Sequence, residues 1–140
     1  MPIENLARSD VVTAATDESI HELAAAMQDE EIGSVVITDG DTPVGIVTDR
    51  DLTIQVLAER ADPDEISAED VMADDLQTIE HGAGFYEATE LMSKHGIRRL
   101  PVTDTDGDLN GIITADDLNE LLADEHQELA RVVRAQRPPY

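Results

Sequence analysis

The feature that most constrains this 140-residue chain is an internal repeat. A shift of 65 residues superimposes identical residues in the same order along two successive copies. The matched pairs include Glu4/Glu69, Asp10/Asp75, Thr13/Thr78, Met27/Met92, Ile32/Ile97, Thr38/Thr103 and Asp39/Asp104. One extra residue in a turn of the second copy then changes the shift to 66, and 45–52 aligns with 111–118 at five identical positions of eight. We therefore expect two copies of one folding unit.

Each copy shows the patterns of a β-α-β-β-α unit. A short apolar strand at 11–13 or 76–78 precedes an amphipathic helix, and two further apolar runs joined through Asp-Gly predict a hairpin. A closing helix follows. A copy of about 55–60 residues makes a marginal core alone, so the two are expected to pack together as one α/β (α+β) module. The predicted boundaries are 3–60 for the first domain, 61–67 for a linker, 68–125 for the second domain and 126–140 for a basic tail.

The charge of the chain excludes several classes of protein. There are 32 acidic against 9 basic residues, for a net charge of -23, so a phosphate backbone should be repelled and nucleic-acid binding is not expected. This excess, with a single lysine, suggests a salt-adapted (halophilic) source. The absence of cysteine excludes disulfides. Since neither a signal peptide nor a long apolar run is visible, we expect a cytoplasmic protein.

A Thr-x-x-Asp motif opens the closing helix of each copy, with Thr48 and Asp51 in the first and Thr114 and Asp117 in the second. Two interpretations are open. Spacing alone favours a capping box, in which the two residues only stabilise the helix start. Alternatively, the helix N-terminus and the threonine hydroxyl bind a phosphate, while the carboxylate accepts hydrogen bonds from ribose hydroxyls.

The two copies resemble a tandem pair of CBS domains, also called a Bateman module, over about residues 3–125. The resemblance is carried by Gly-Ile-Val-Thr-Asp-Arg-Asp-Leu at 45–52 and Gly-Ile-Ile-Thr-Ala-Asp-Asp-Leu at 111–118, with support from 10–13, 71–78 and 97–102. The resemblance implies that the repeats pack about a pseudo-two-fold axis. It also implies two clefts that bind adenosyl ligands such as AMP, ADP, ATP, S-adenosylmethionine or NAD.

Residue roles follow from the same resemblance. The Asp of each motif would hold ribose and the Thr would face phosphate, while adenine would lie between apolar residues at the start of the second strand. Each cleft would mix the halves, with Asp117 joined by Ile32 and Thr13, and Asp51 by Ile97 and Thr78. The predicted nucleotide-binding residues are Thr13, Ile32, Gly33, Thr48, Arg50, Asp51, Thr78, Ile97, Arg98, Arg99, Thr114 and Asp117.

The copies differ in charge around these motifs. Arg50 in the first motif becomes Asp116 in the second, and the pair Arg98–Arg99 has no basic counterpart in the first copy. We therefore expect the Asp51 cleft to hold a phosphate better than the Asp117 cleft. The two arginines could instead be a solvated pair that offsets local acid.

The predicted function is a regulatory sensor of adenine nucleotides, one that forms a homodimer and signals to an unidentified partner protein. The alternative is a structural interaction module with empty clefts and the basic tail as its docking element. No enzyme, catalytic cofactor or metal site is expected, because the sequence offers no nucleophile–base set and its four histidines are scattered.

Overall fold

Two sheets of three strands, each with helices, form the body of the protein. The computed structural model describes residues 2–139. The strands are β1 (Thr13–Ala15), β2 (Ser34–Asp39), β3 (Thr42–Thr48), β4 (Ile79–Glu80), β5 (Arg99–Thr103) and β6 (Leu109–Thr114). The helices are α1 (Ile20–Glu30), α2 (Asp49–Asp51, continued by a π-helix over Leu52–Leu57), α3 (Ala68–Val71), α4 (Phe85–His95) and α5 (Ala115–Ala135), and a 3-10 turn covers Ile3–Asn5.

The two sheets have the same topology, β1-β2-β3 and β4-β5-β6. In each, the first strand pairs parallel to the second, and the second pairs antiparallel to the third. The predicted α+β architecture of two β-α-β-β-α units is confirmed. The first strand of each unit begins later than predicted, at Thr13 and Ile79, because the apolar residues before it line clefts between the halves.

The two hydrophobic cores exchange segments. Ile3, fully buried near the chain start, belongs to the core of the second half, where its N–H donates to the Ala83 carbonyl at 2.7 Å. Ala68 and Val71, which lie at the start of the second copy, belong to the core of the first half. The Ala68 N–H donates to the Glu18 carbonyl at 2.9 Å. Each core is thus completed by the segment that leads into the other copy.

The opposite faces of the sheets meet between the halves. In β2 the side chains of Val35 and Ile37 face the first core, so the buried Val36 between them points to the other face. Pro101 in β5 is buried in the same way between Leu100 and Val102. A backbone bond of 2.8 Å from Leu109 N to Asp41 O also joins the two hairpins. The halves therefore form one module.

Helix α5 is much longer than its counterpart in the first half. It continues the closing helix of the second copy through the basic tail to Ala135. Its last turns expose Leu129, Val132 and Val133. Within residues 2–139, no helix combines the length and the apolar character that crossing a bilayer requires.

Candidate functional site

Both Thr-x-x-Asp motifs form capping boxes. The Thr48 hydroxyl accepts from the Asp51 N–H at 3.2 Å, while Asp51 Oδ2 accepts from the Thr48 N–H at 2.9 Å. Thr114 and Asp117 repeat this geometry at 3.2 and 3.0 Å. These bonds satisfy N–H groups that the helix itself leaves unpaired. The capping interpretation is confirmed at both motifs, and it leaves one carboxylate oxygen of each Asp for another partner.

Within the part of the chain that the structure describes, the second oxygen has a side-chain partner in the second half but not in the first. Arg8 donates to Asp117 Oδ1 from Nη2 at 3.0 Å and from Nε at 3.3 Å. The Asp117 side chain is 8% exposed, whereas that of Arg8 is 64% exposed. The hydrogen bonds from Arg8 to Asp117 and the carboxylate's charge raise the pKa of Arg8. Among residues 2–139, Asp51 Oδ1 accepts no such bond.

Arg8 is held in place by its own backbone. Its N–H donates to the Ile112 carbonyl at 2.9 Å, and the Ile112 N–H donates to the Arg8 carbonyl at 2.9 Å. This close approach needs Gly111, because a Cβ there would lie 2.7 Å from the Arg8 carbonyl oxygen. Arg8 was not among the residues predicted from the sequence to bind the ligand. Its counterpart in the repeat is Ala73. This difference in charge between the two copies was the sequence feature that could have pointed to Arg8.

The larger cleft lies between the two halves beside Thr114. It has a volume of about 500 Å³, within the range of about 300–1,000 Å³ that small-molecule sites occupy. The first half contributes Ile32 and Gly33 to its wall, and the second half contributes Thr114. The other lining residues are Arg8, Asp10, Val11, Val12, Glu30, Glu31, Ser34, Val36, Arg99, Ile112 and Asp116. We call this space the Thr114 cleft.

A second, smaller cleft corresponds to the first by the repeat. It has a volume of about 150 Å³ and is lined by Ile97 and Arg99 together with Ile46, Ala73, Asp75, Leu76, Gln77 and His95. We call it the Ile97 cleft. Residues from both halves line it, but Thr48, Arg50 and Asp51 do not. The two clefts therefore differ more than threefold in volume.

The remaining predicted residues lie at several places. Thr13 lines a separate hollow with Thr38, and Thr78 lines another with Glu80, because β1 and β4 begin beyond the cleft walls. Arg50 is exposed. Arg98 forms an exposed ion pair of 3.1 Å with Asp116, so it lies beside the second motif rather than the first.

Arg99 is the cation that borders both clefts. A Cβ at Gly33 would lie 3.3 Å from Arg99 Nη2 and 3.2 Å from Asp49 Oδ2, so the guanidinium reaches the wall that Gly33 forms. Negatively charged side chains lie in the same cleft as Arg99. They are Asp10, Glu30, Glu31 and Asp116. The cleft thus combines an apolar wall, a helix start and two arginines within an acidic rim.

No group of three or more histidine, aspartate or glutamate side chains among residues 2–139 is arranged to hold a metal ion. The residues that line the Thr114 cleft offer several groups that can bind a ligand. Apolar side chains can contact a flat ring, a hydroxyl and guanidinium groups can meet an anion, and carboxylates can accept from hydroxyl groups.

Comparison with known proteins agrees with this architecture. An uncharacterized protein of Methanopyrus kandleri is 43% identical over 117 residues, which cover 83% of this chain and 60% of that protein. This chain thus spans less than two thirds of that relative.

Two solved structures are also similar. A CBS domain protein from Pyrobaculum aerophilum, complexed with AMP, has a TM-score of 0.76 and 25% identity over 84% of this chain and 89% of its own. A CBS domain pair in complex with 5′-methylthioadenosine and S-adenosyl-L-methionine has a TM-score of 0.80 and 25% identity over 89% of this chain and 98% of its own.

The family itself is assigned by the two repeats. Residues 3–57 and residues 68–124 each match the CBS domain family. The match places one domain on each sheet and its helices, and it includes both Thr-x-x-Asp motifs. This chain belongs to the CBS domain family and carries a pair of these domains.

Proposed function

We propose that this protein is a regulatory module that binds an adenosyl ligand in the Thr114 cleft and passes the resulting change to a partner protein. The observation that carries the proposal is the cleft itself, about 500 Å³ in volume and walled by both CBS domains. The AMP, 5′-methylthioadenosine and S-adenosyl-L-methionine bound by similar pairs support the ligand class. A ligand held by both domains would couple binding to their relative position.

The residues of the cleft suggest how such a ligand would lie. The adenine would pack against the apolar side chains of Val12 and Ile32. The Thr114 oxygen already accepts the Asp117 N–H, but its hydroxyl proton remains available to a phosphate at the start of α5. Arg99 would add a charge-assisted bond to that phosphate. Asp117 is not among the residues that line the cleft, but it bonds to Arg8, which is, and it would accept from the ribose hydroxyls.

The Ile97 cleft remains a second prediction. The sequence favours it for phosphate because of Arg50, Arg98 and Arg99. The cleft volume and the pairing of Arg98 with Asp116 favour the Thr114 cleft instead. Which ligand binds, and in how many clefts, is decided by the test below.

A ligand-dependent thermal shift tests the function and assigns the cleft. A ligand at a hundredfold excess over its Kd stabilises the folded state by about 2.7 kcal/mol. We would measure the shift with AMP, ATP, S-adenosylmethionine and NAD on the wild type and on the matched variants Ile32→Glu and Ile97→Glu. Loss of the shift only in Ile32→Glu would assign the Thr114 cleft, and loss only in Ile97→Glu would assign the other. No shift in the folded wild type would refute the function.

We also propose a homodimer formed through α1, α2 and their repeats. Ile54 and Leu57 on the π-helical part of α2 are 53% and 74% exposed, which is costly for large apolar side chains unless another surface covers them. Leu57→Asp should lower the mass measured by light scattering from that of a dimer to that of a monomer, whereas Arg60→Ala should leave it unchanged. A monomeric wild type would refute this assembly.

The alternative function is an interaction module without a ligand. The exposed Leu129, Val132 and Val133 on α5 favour it, since they continue beyond the CBS domains next to basic residues. Under this alternative, Leu129→Asp would abolish binding of a partner protein and no adenosyl ligand would shift the melting temperature.

A further inference from the structure

Both oxygens of the carboxylate expected to meet the ribose in the Thr114 cleft already have partners within the protein. Asp117 Oδ2 accepts the Thr114 N–H at 3.0 Å, and Oδ1 accepts both Nη2 and Nε of Arg8. Its side chain is only 8% exposed. Ribose hydroxyls can therefore reach Asp117 only if the Arg8 guanidinium moves away.

Arg8 is built so that its side chain can move while its backbone stays. The two backbone bonds to Ile112 and the burial of Ile3 fix the segment that carries it. The side chain itself is 64% exposed, and Asp117 accounts for both of its hydrogen bonds. The guanidinium thus has freedom to change partner without any change in the fold.

The charged residues of the cleft indicate which acceptor could replace Asp117 as the partner of the Arg8 guanidinium. Asp10, Glu30, Glu31 and Asp116 line the same space, and Arg8 and Arg99 are the cations among its lining residues. A guanidinium that leaves Asp117 loses two charge-assisted hydrogen bonds to Oδ1, and the oxygens of a phosphate can accept the same two N–H groups. A ligand without an anionic group would offer Arg8 no acceptor in exchange for Asp117, and Arg8 would have to turn to the carboxylates of the rim, such as Asp10.

We propose that Arg8 selects adenosyl ligands that carry a phosphate, by exchanging Asp117 for the ligand phosphate as the ribose hydroxyls take its place on Asp117. The proposal rests on the proposed function and deepens it, because it names the ligand class of the Thr114 cleft and the residue that sets it. The equivalent residue in the other half, Ala73, has no charge, so the Ile97 cleft lacks this selection.

The test compares AMP with adenosine, which differ only in the phosphate. Dissociation constants would be measured by equilibrium dialysis for the wild type, Arg8→Ala and Arg8→Gln, with the melting temperature of each variant recorded. Arg131→Ala is the matched control, since it removes one arginine and one ion pair with Glu128, far along α5 from the cleft.

We expect the wild type and Arg131→Ala to bind AMP at least about tenfold more tightly than adenosine, the smaller end of what a hydrogen bond to a charged group supplies. In Arg8→Ala and Arg8→Gln, AMP should bind more weakly and adenosine more tightly, because Asp117 becomes free for the ribose. The AMP-to-adenosine preference should fall by about tenfold or more.

Several results would overturn the inference. If AMP weakens while adenosine does not change, Arg8 acts only as a positive charge and does not compete for Asp117. If the preference is the same in the wild type and in both Arg8 variants, Arg8 has no role in selection, although the binding function stands. If neither compound binds to the folded wild type or to either variant, the inference fails, while the proposed function fails only if the other ligands of the thermal-shift test also give no shift.

Discussion

Two glycines at equivalent positions of the repeat should respond differently to the same substitution. Gly111 and Gly45 both lie in third strands and are crossed by the segment that comes from the other half. At Gly111 an added Cβ would lie 2.7 Å from the backbone oxygen of Arg8. At Gly45 it would overlap the side chain of Met72, chiefly its Sδ atom. The backbone at Arg8 cannot move away from Gly111 without losing its hydrogen bonds to Ile112, whereas the Met72 side chain can change rotamer.

The expected magnitudes follow from what each Cβ displaces. Gly111→Ala should separate Arg8 from Ile112 and break two backbone bonds, each contributing about 1 kcal/mol, and it weakens the Arg8–Asp117 pair. Ala in place of Gly also reduces the conformational entropy of the unfolded chain, which stabilises the fold by about 0.4–1 kcal/mol. The net loss in the free energy of unfolding is therefore about 1–3 kcal/mol. Gly45→Ala should stay within about 1 kcal/mol of the wild type.

Thermal and urea unfolding would measure both variants. For a chain of this length, a loss of 1–3 kcal/mol lowers Tm by roughly 3–15 °C. The reasoning would be refuted if Gly111→Ala were as stable as the wild type, or if Gly45→Ala were the more damaging of the two.

Three further predictions concern other parts of the fold. Glu31 ends α1 with a φ of 54° where its counterpart Gly96 ends α4 with a φ of 64°, so Glu31→Gly should raise the unfolding free energy by about 0.5–1 kcal/mol, and unchanged urea unfolding would contradict it. Burial, followed by the carboxylates of Asp104 and Asp41, raises the pKa of Asp108, so the native state binds its proton more tightly than the unfolded chain does. Stability from this site is therefore present below the unfolded value of 3.8 and is lost as the pH rises through the native pKa, so Asp108→Asn should raise Tm at neutral pH but not in acid. Because the net charge is -23, Tm of the wild type should rise between roughly 0.1 M and 1 M KCl as the Debye length shortens, and a falling Tm would argue against a salt-adapted protein.

The fold was predictable because the sequence patterns that specify its strands, turns and helix starts are local and occur in both copies. Apolar periodicity and the Asp-Gly turn signals indicate the order of strands and helices, and the spacing from Thr114 to Asp117 indicates the capping box that the structure contains. The same periodicity misplaced the start of β1, since the apolar side chain of Val12 lies in the cleft wall, although its carbonyl still accepts the Val36 N–H of β2.

The site was less predictable because it depends on contacts between distant segments. The partners Arg8 and Asp117 are separated by 109 positions, and no local pattern tells which carboxylate a lone arginine will meet. In the same way, Ile3 reads as an apolar residue of the first copy, yet it packs in the core of the second. The unequal volumes of the two clefts follow from such packing, so a comparison of the repeats alone could not rank them.

The central claim is that this pair of CBS domains binds an adenosyl ligand between its two halves. Calorimetric titration of the wild type, Asp51→Ala and Ile32→Glu in molar KCl, with AMP, ATP, S-adenosylmethionine and NAD, tests it most directly. The account predicts saturable heat with at least one ligand, its loss in Ile32→Glu and its retention in Asp51→Ala. Absence of heat with every ligand in the folded wild type would contradict the claim, and loss in Asp51→Ala alone would move the site to the start of α2, beside the first Thr-x-x-Asp motif.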